Sequence, residues 1–107
     1  MNINFEAALR LINLGSYDEA VKNLQKAIDE EKTNGNEKSA IEITCILGDL
    51  FSNLDMEDKA KAEFDKVLEY CNRTNSLPKQ KQIALNFIGS YDLRVRPNTT
   101  QTSPYAQ

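Results

Sequence analysis

The chain has 107 residues, 40% of them hydrophobic and 27% charged, which bounds it to one small helical or mixed domain or a piece of a repeat array, with no run near the roughly 18 apolar residues a membrane span needs. It contains no histidine and only two cysteines, Cys45 and Cys71, which removes structural zinc and the commonest general base, so no metal, no cofactor and no catalysis are expected. Of the net charge of −3, Lys79, Lys81, Arg94 and Arg96 against Asp92 leave +3 on residues 79–107 and therefore −6 on the first 78, an acidic body that excludes nucleic acid as partner.

From Ile3 to Leu14 the residues are helix formers with apolar side chains almost all round. Ile3, Ala7, Leu11 and Leu14 form one stripe at helical spacing, expected to face the core; Phe5, Leu9 and Ile12 form a second. Gly15 ends this helix, and Ser16 with Glu19 reads as a capping box for the next. The second helix, 17–33, is amphipathic: Tyr17, Ala20, Val21, Leu24, Ala27 and Ile28 lie on one side and charged residues on the other.

Asn34-Gly35-Asn36 closes it, with Asn36 expected to cap a third helix over 37–53 whose core side carries Ala40, Ile43, Leu47, Leu50, Phe51 and Leu54. Gly48 sits inside that helix, where glycine costs about 1 kcal/mol relative to alanine; a close helix crossing is the expected reason. Asp55 is expected to cap a fourth helix of about 56–73, with Ala60, Phe64, Val67, Leu68 and Cys71 on its stripe. Pro78 suits the first turn of a fifth helix running to about Asp92, with Ile83, Ala84, Phe87, Ile88 and Tyr91 on its apolar side. After it the composition turns polar and proline-punctuated, as in a flexible tail over 95–107. The positive C-terminal end either docks on the acidic body or is solvated apart from it.

Two segments repeat each other. Ala20 and Ala60, Leu24 and Phe64, Ala27 and Val67, and Ile28 and Leu68 are each 40 residues apart, and Leu14-Gly15-Ser16-Tyr17-Asp18-Glu19 is echoed by Leu54-Asp55-Met56-Glu57-Asp58. A fixed period of this size marks a stack of helix pairs in which each unit buries its apolar face against its neighbours.

The units resemble the tetratricopeptide repeat, whose pattern is W-x2-L-G-x2-Y, then A-x3-F, then a closing proline. The second unit has Thr44 at the tryptophan place, Leu47-Gly48, Phe51 at the tyrosine place and Ala60-x3-Phe64. The first matches through Ala8, Leu11, Ala20, Leu24 and Ala27. A partial third match, Ala84 to Gly89, is out of register by one residue if Gly89 is set against Gly48. Lys32 and Asn72 stand where the proline would be, as in a longer-helix variant with repeats of about 40 residues. The resemblance implies an all-α domain over 1–94, with repeats at about 3–34 and 39–74, an extra helix at about 78–92, and a right-handed stack with a concave groove lined by the first helix of each pair. A plain bundle of four or five helices would bury the same residues.

On that reading the partner-binding residues are Phe5, Leu9, Ile12 and Asn13 from the first helix, and Glu42, Cys45 or Ile46, Asp49 and Asn53 from the third, with Asn86 and Ser90 added by the fifth. The face is apolar at one end and acidic at the other, without the lysines that a carboxylate-gripping groove uses. Phe5, Leu9 and Ile12 are open to two readings: a contact with a second copy or an apolar partner segment, or a cover supplied by the tail through Tyr105. The expected function is a protein–protein interaction module, a scaffold or adaptor open to self-association, that binds a peptide or helix in its groove; a peptide-sensing regulatory domain or a fragment of a larger repeat protein is the alternative. The start, Met1-Asn2-Ile3-Asn4-Phe5-Glu6, has no basic segment before an apolar stretch, so a cytoplasmic protein is expected.

Overall fold

In the computed structural model, which describes residues 2–95, the chain forms five helices: α1 (Ile3–Asn13), α2 (Tyr17–Thr33), α3 (Glu37–Asn53), α4 (Glu57–Thr74) and α5 (Pro78–Val95). None of the described residues is in a strand. Each helix packs on the next in sequence, and α3 also touches α5. Connections of three residues between long helices turn the chain back on itself, so successive helices are antiparallel neighbours. The bounds expected for α2 and α3 are those observed; α5 runs three residues past Asp92, to Val95. The tail expected after it lies outside the described residues.

Three of the four turns share one design. Gly15 and Gly35 both have φ +80, and Asp55 has φ 61. In each the following amide reaches back five residues: Ser16 N–H donates to the Leu11 carbonyl at 2.8 Å, Asn36 N–H to Glu31 at 2.8 Å, and Met56 N–H to Phe51 at 2.9 Å. This left-handed closure satisfies the last carbonyls of one helix and places the next helix directly after it.

That geometry corrects the capping assignments. Neither Ser16 nor Asn36 makes a side-chain cap, and Asp55 is not the cap of α4 at all. Asp55 stands in the glycine place of the turn, leaving the apolar Met56 at the cap position. Asn36 instead donates through Nδ2 to Glu31 Oε1 at 3.1 Å. The side-chain cap that does form is at Asn2, whose Oδ1 accepts from the Phe5 amide at 3.0 Å. Its Nδ2 donates to the Ala27 carbonyl at 3.2 Å and to Glu31 Oε2 at 2.8 Å, so one residue both starts α1 and ties it to α2.

The core is a ladder of small residues and larger ones fitted against them. Ala8, Ala20, Ala27, Ala60 and Ala84 are fully buried, and Leu24, Leu47, Phe64, Val67 and Cys71 fill the space between helices. Gly48 lies under the Phe64 ring, as its place inside α3 suggested. Phe64 also meets Phe87 of α5 at 5.0 Å between ring centroids, and Phe87 stacks on Tyr91 at 5.8 Å.

The stripe assigned to α1 is wrong. Ile3 and Leu14 are 75% and 78% exposed, whereas Ala8 is the residue at the contact, flanked by partly buried Phe5, Leu11 and Ile12. α1 ends the stack and packs mainly on α2, so one narrow face of a helix that is apolar all round is covered.

Candidate functional site

The structure brings Glu42, Ile46 and Asp49 together on α3, one and two turns apart, with Cys45 between them and Gln80 and Ile83 facing them from α5. These six residues enclose a cavity of about 320 Å³. A second cavity of about 390 Å³ continues toward the end of α5, past Ser52, Asn86, Ser90 and Arg94. Asp49 and Ile83 wall both, so the two make one trough along the α3–α5 seam.

The floor is apolar and the rim acidic. Cys45 is 4% exposed, Ile46 half-buried, and Ile83 is 38% exposed at the trough wall. Burial, reinforced by the Asp49 charge and by Cys71, pushes the Cys45 thiol up to about 11, which keeps the floor neutral. Glu42 is half-buried and Asp49 exposed; neither forms an ion pair or a side-chain hydrogen bond among the described residues.

Among the described residues Arg94 is the one cation lining either cavity, and it is held. Its Nη2 lies 3.0 Å from Glu57 Oε2 and its Nε donates to Glu57 Oε1 at 3.2 Å, a two-pronged pair. It also donates to Ser90 Oγ and lies 5.7 Å over the Phe87 ring. Beside it the Tyr91 hydroxyl donates to Asp58 Oδ1 at 2.6 Å, and this bond, with burial adding to it, raises the tyrosine's ionisation above its usual range. Through Arg94, α5 is thus tied to Glu57 of α4; the positive end beyond Val95 lies outside the described residues.

The remaining residues singled out in the sequence sit elsewhere. Phe5 and Ile12 pack partly against the core, Leu9 between them is 40% exposed, and Asn13 is exposed. None of these four lines the trough, and neither does Asn53, which is exposed at the last position of α3. Gln80 and Ile83 were missed, Ile83 having been assigned to the core. The signal was the one-residue slip of the third unit: 41 residues after Glu42, Cys45 and Asp49 stand Ile83, Asn86 and Ser90.

A scan against protein-family models matches the tetratricopeptide repeat at residues 3–34 and 41–74. The chain belongs to the tetratricopeptide repeat family. The two matched segments are the α1–α2 and α3–α4 pairs, so the 40-residue echo is a true pair of tetratricopeptide repeats, and α5 stands outside the match as a further helix laid on the second repeat. Comparisons with curated proteins and with solved structures return no match. Tetratricopeptide repeats are in general protein–protein interaction modules, typically scaffolds rather than enzymes. Among the described residues no three Cys, Asp or Glu side chains gather as metal ligands, and no helix is long and apolar enough to cross a membrane.

Proposed function

We propose that this tetratricopeptide repeat protein is a scaffold or adaptor that holds a peptide or helix of a protein partner in the α3–α5 trough, with Glu42, Ile46, Asp49 and Ile83 as the contact residues. The observation that carries the reading is the continuity of the trough: one wall from the second repeat and one from α5, an apolar floor between them, and on its rim Glu42 and Asp49 without ion-pair partners among the described residues. Ligand sites take this form, largely apolar and pre-formed with a few placed polar groups. No bond-making step is assigned to it: Glu42 and Asp49, seven residues apart on one helix, are separated by about 10.5 Å of helical rise, and the Cys45 thiol between them is held protonated.

The test is selection of binders from a displayed library of random peptides, followed by amide chemical-shift mapping of the best binder. Shifts concentrated on Glu42, Ile46, Asp49 and Ile83 support the reading. Binders that map instead to the α2–α4 face, around Gln25, Asp29 and Lys66, overturn it.

Self-association through α1 is a second reading, favoured by Leu9 standing 40% exposed between Phe5 and Ile12. Apolar exposure at the end of a repeat stack is the place where another copy can add burial.

A further inference from the structure

Five acidic side chains are ion-paired among the described residues, and of the unpaired ones Glu42 and Asp49 are the two that border the trough. Glu37, Glu57, Glu63, Asp65 and Glu69 each pair with a lysine or arginine at 2.6–3.3 Å. Glu42 and Asp49 have no such partner among the described residues, although both border a cavity with apolar walls. The cation nearest along the trough, Arg94, is neutralised by Glu57. Cys45 cannot add a compensating or a further charge near neutral pH, because its thiol is held protonated. What the trough offers is therefore an apolar slot, Ile46 against Ile83, with one uncompensated carboxylate at each end.

We infer that the trough selects a cationic segment: two basic side chains about 10 Å apart, one for Glu42 and one for Asp49, bracketing an apolar side chain that fills the slot between Ile46 and Ile83. This rests on the trough being the partner site, and adds the chemistry of the partner. The spacing follows from the helix, since seven residues rise about 10.5 Å. An extended peptide covers that distance in three residues at roughly 3.3 Å each, and a helical one in seven. An acidic segment is turned away: its carboxylates would meet Glu42 and Asp49 with no free cation lining the trough among the described residues. Partial burial of Glu42 strengthens both the attraction and the rejection, because the surrounding protein screens charge less than water does.

Two fluorescein-labelled peptides of twelve residues test this, one with leucines and paired lysines at three-residue spacing, the other with glutamates in place of the lysines. Fluorescence anisotropy with the full chain should show the lysine peptide binding at least about tenfold tighter than the glutamate peptide, and weakening as salt is raised past the range where charges are screened. Glu42→Gln with Asp49→Asn should cost the lysine peptide about tenfold or more. Glu63→Gln with Asp65→Asn, which removes as much negative charge from α4, should leave it unchanged and so separates the trough from general attraction to an acidic body. The inference is overturned if the two double variants behave alike, if the glutamate peptide binds as well, or if neither peptide binds. It is also overturned, with the trough reading left standing, if library-selected peptides map to the trough and prove acidic or uncharged. Binders that map to another face remove the trough reading itself.

Discussion

Phe64 occupies the space that a side chain on Gly48 would need. A Cβ built on Gly48 would stand 3.0 Å from Phe64 Cζ and 3.1 and 3.2 Å from its two Cε atoms. The ring has nowhere to retreat, being 1% exposed and backed by Phe87 at 5.0 Å. Two effects oppose each other at this site. Alanine gains about 1 kcal/mol over glycine as a helix residue, and overpacking a filled core costs about 1–3 kcal/mol. With the ring pinned, overpacking wins: Gly48→Ala lowers stability in urea titration, and Gly48→Leu lowers it further. In a Phe64→Leu background the ring is gone, and Gly48→Ala turns from destabilising to stabilising.

Asp55 gives the opposite expectation. It holds φ 61 in a turn whose two counterparts, Gly15 and Gly35, are glycines. The left-handed conformation costs an L-residue about 1–2 kcal/mol, less for aspartate, so Asp55→Gly should raise stability by about 0.5 kcal/mol after the added freedom of the unfolded chain is counted. Leu77 also has positive φ, 53, but is buried. There the loss of a packed leucine, about 1.5–3 kcal/mol, outweighs the relief of strain, and Leu77→Gly should destabilise. Thermal melts of the two variants should move in opposite directions.

Much of this was legible beforehand, for identifiable reasons. Gly15 and Gly35 interrupt otherwise uninterrupted helix formers, so the bounds of α2 and α3 could be read directly, and the amphipathic α2 and α4 showed which side they bury. The caps were not legible, because Ser16 and Asp55 look alike whether they start a helix or close the previous one; the backbone closure decided it. In α1 apolar residues lie on every side, so helical periodicity alone does not favour Ala8 over Ala7 as the contact; the repeat pattern does, Ala8 standing 40 residues before Gly48. On α3 the site residues Glu42, Ile46 and Asp49 could be placed, since the core stripe fixes the opposite face. Ile83 could not, because α4 is one residue longer than α2, 18 against 17, and shifts the register of α5 against α3.

Cys45 should be inert in the folded chain. Its thiol is raised from 9.0 to about 11, and burial raises Cys71 as well. Thiolate is the reactive form, so an aromatic disulfide reagent at pH 8 should leave both cysteines unmodified in the native protein and label both in urea. The folded value lies above the unfolded one, so the protonated thiol's contribution to stability is intact below about pH 9 and is lost as pH rises toward about 11, where the unfolded chain ionises first. Cys45→Ala should flatten the fall in stability over that window.

Leu9→Asp tests association through α1. If the Phe5–Leu9–Ile12 face holds a second copy, light scattering at micromolar concentration should show a lower mass for the variant than for the parent chain, with helix content unchanged by circular dichroism. A parent chain that is already monomeric at high concentration removes this second reading and leaves the α3–α5 trough untouched.

The most direct measurement is amide chemical-shift mapping of the full chain titrated with the lysine–leucine peptide. A partner site in the α3–α5 trough predicts that the largest shifts fall on Glu42, Ile46, Asp49 and Ile83, that Gln25, Asp29 and Lys66 stay in place, and that Glu42→Gln with Asp49→Asn abolishes the pattern. Shifts centred on the α2–α4 face would contradict it, and a trough pattern indifferent to those two carboxylates would contradict the selection of a cationic segment.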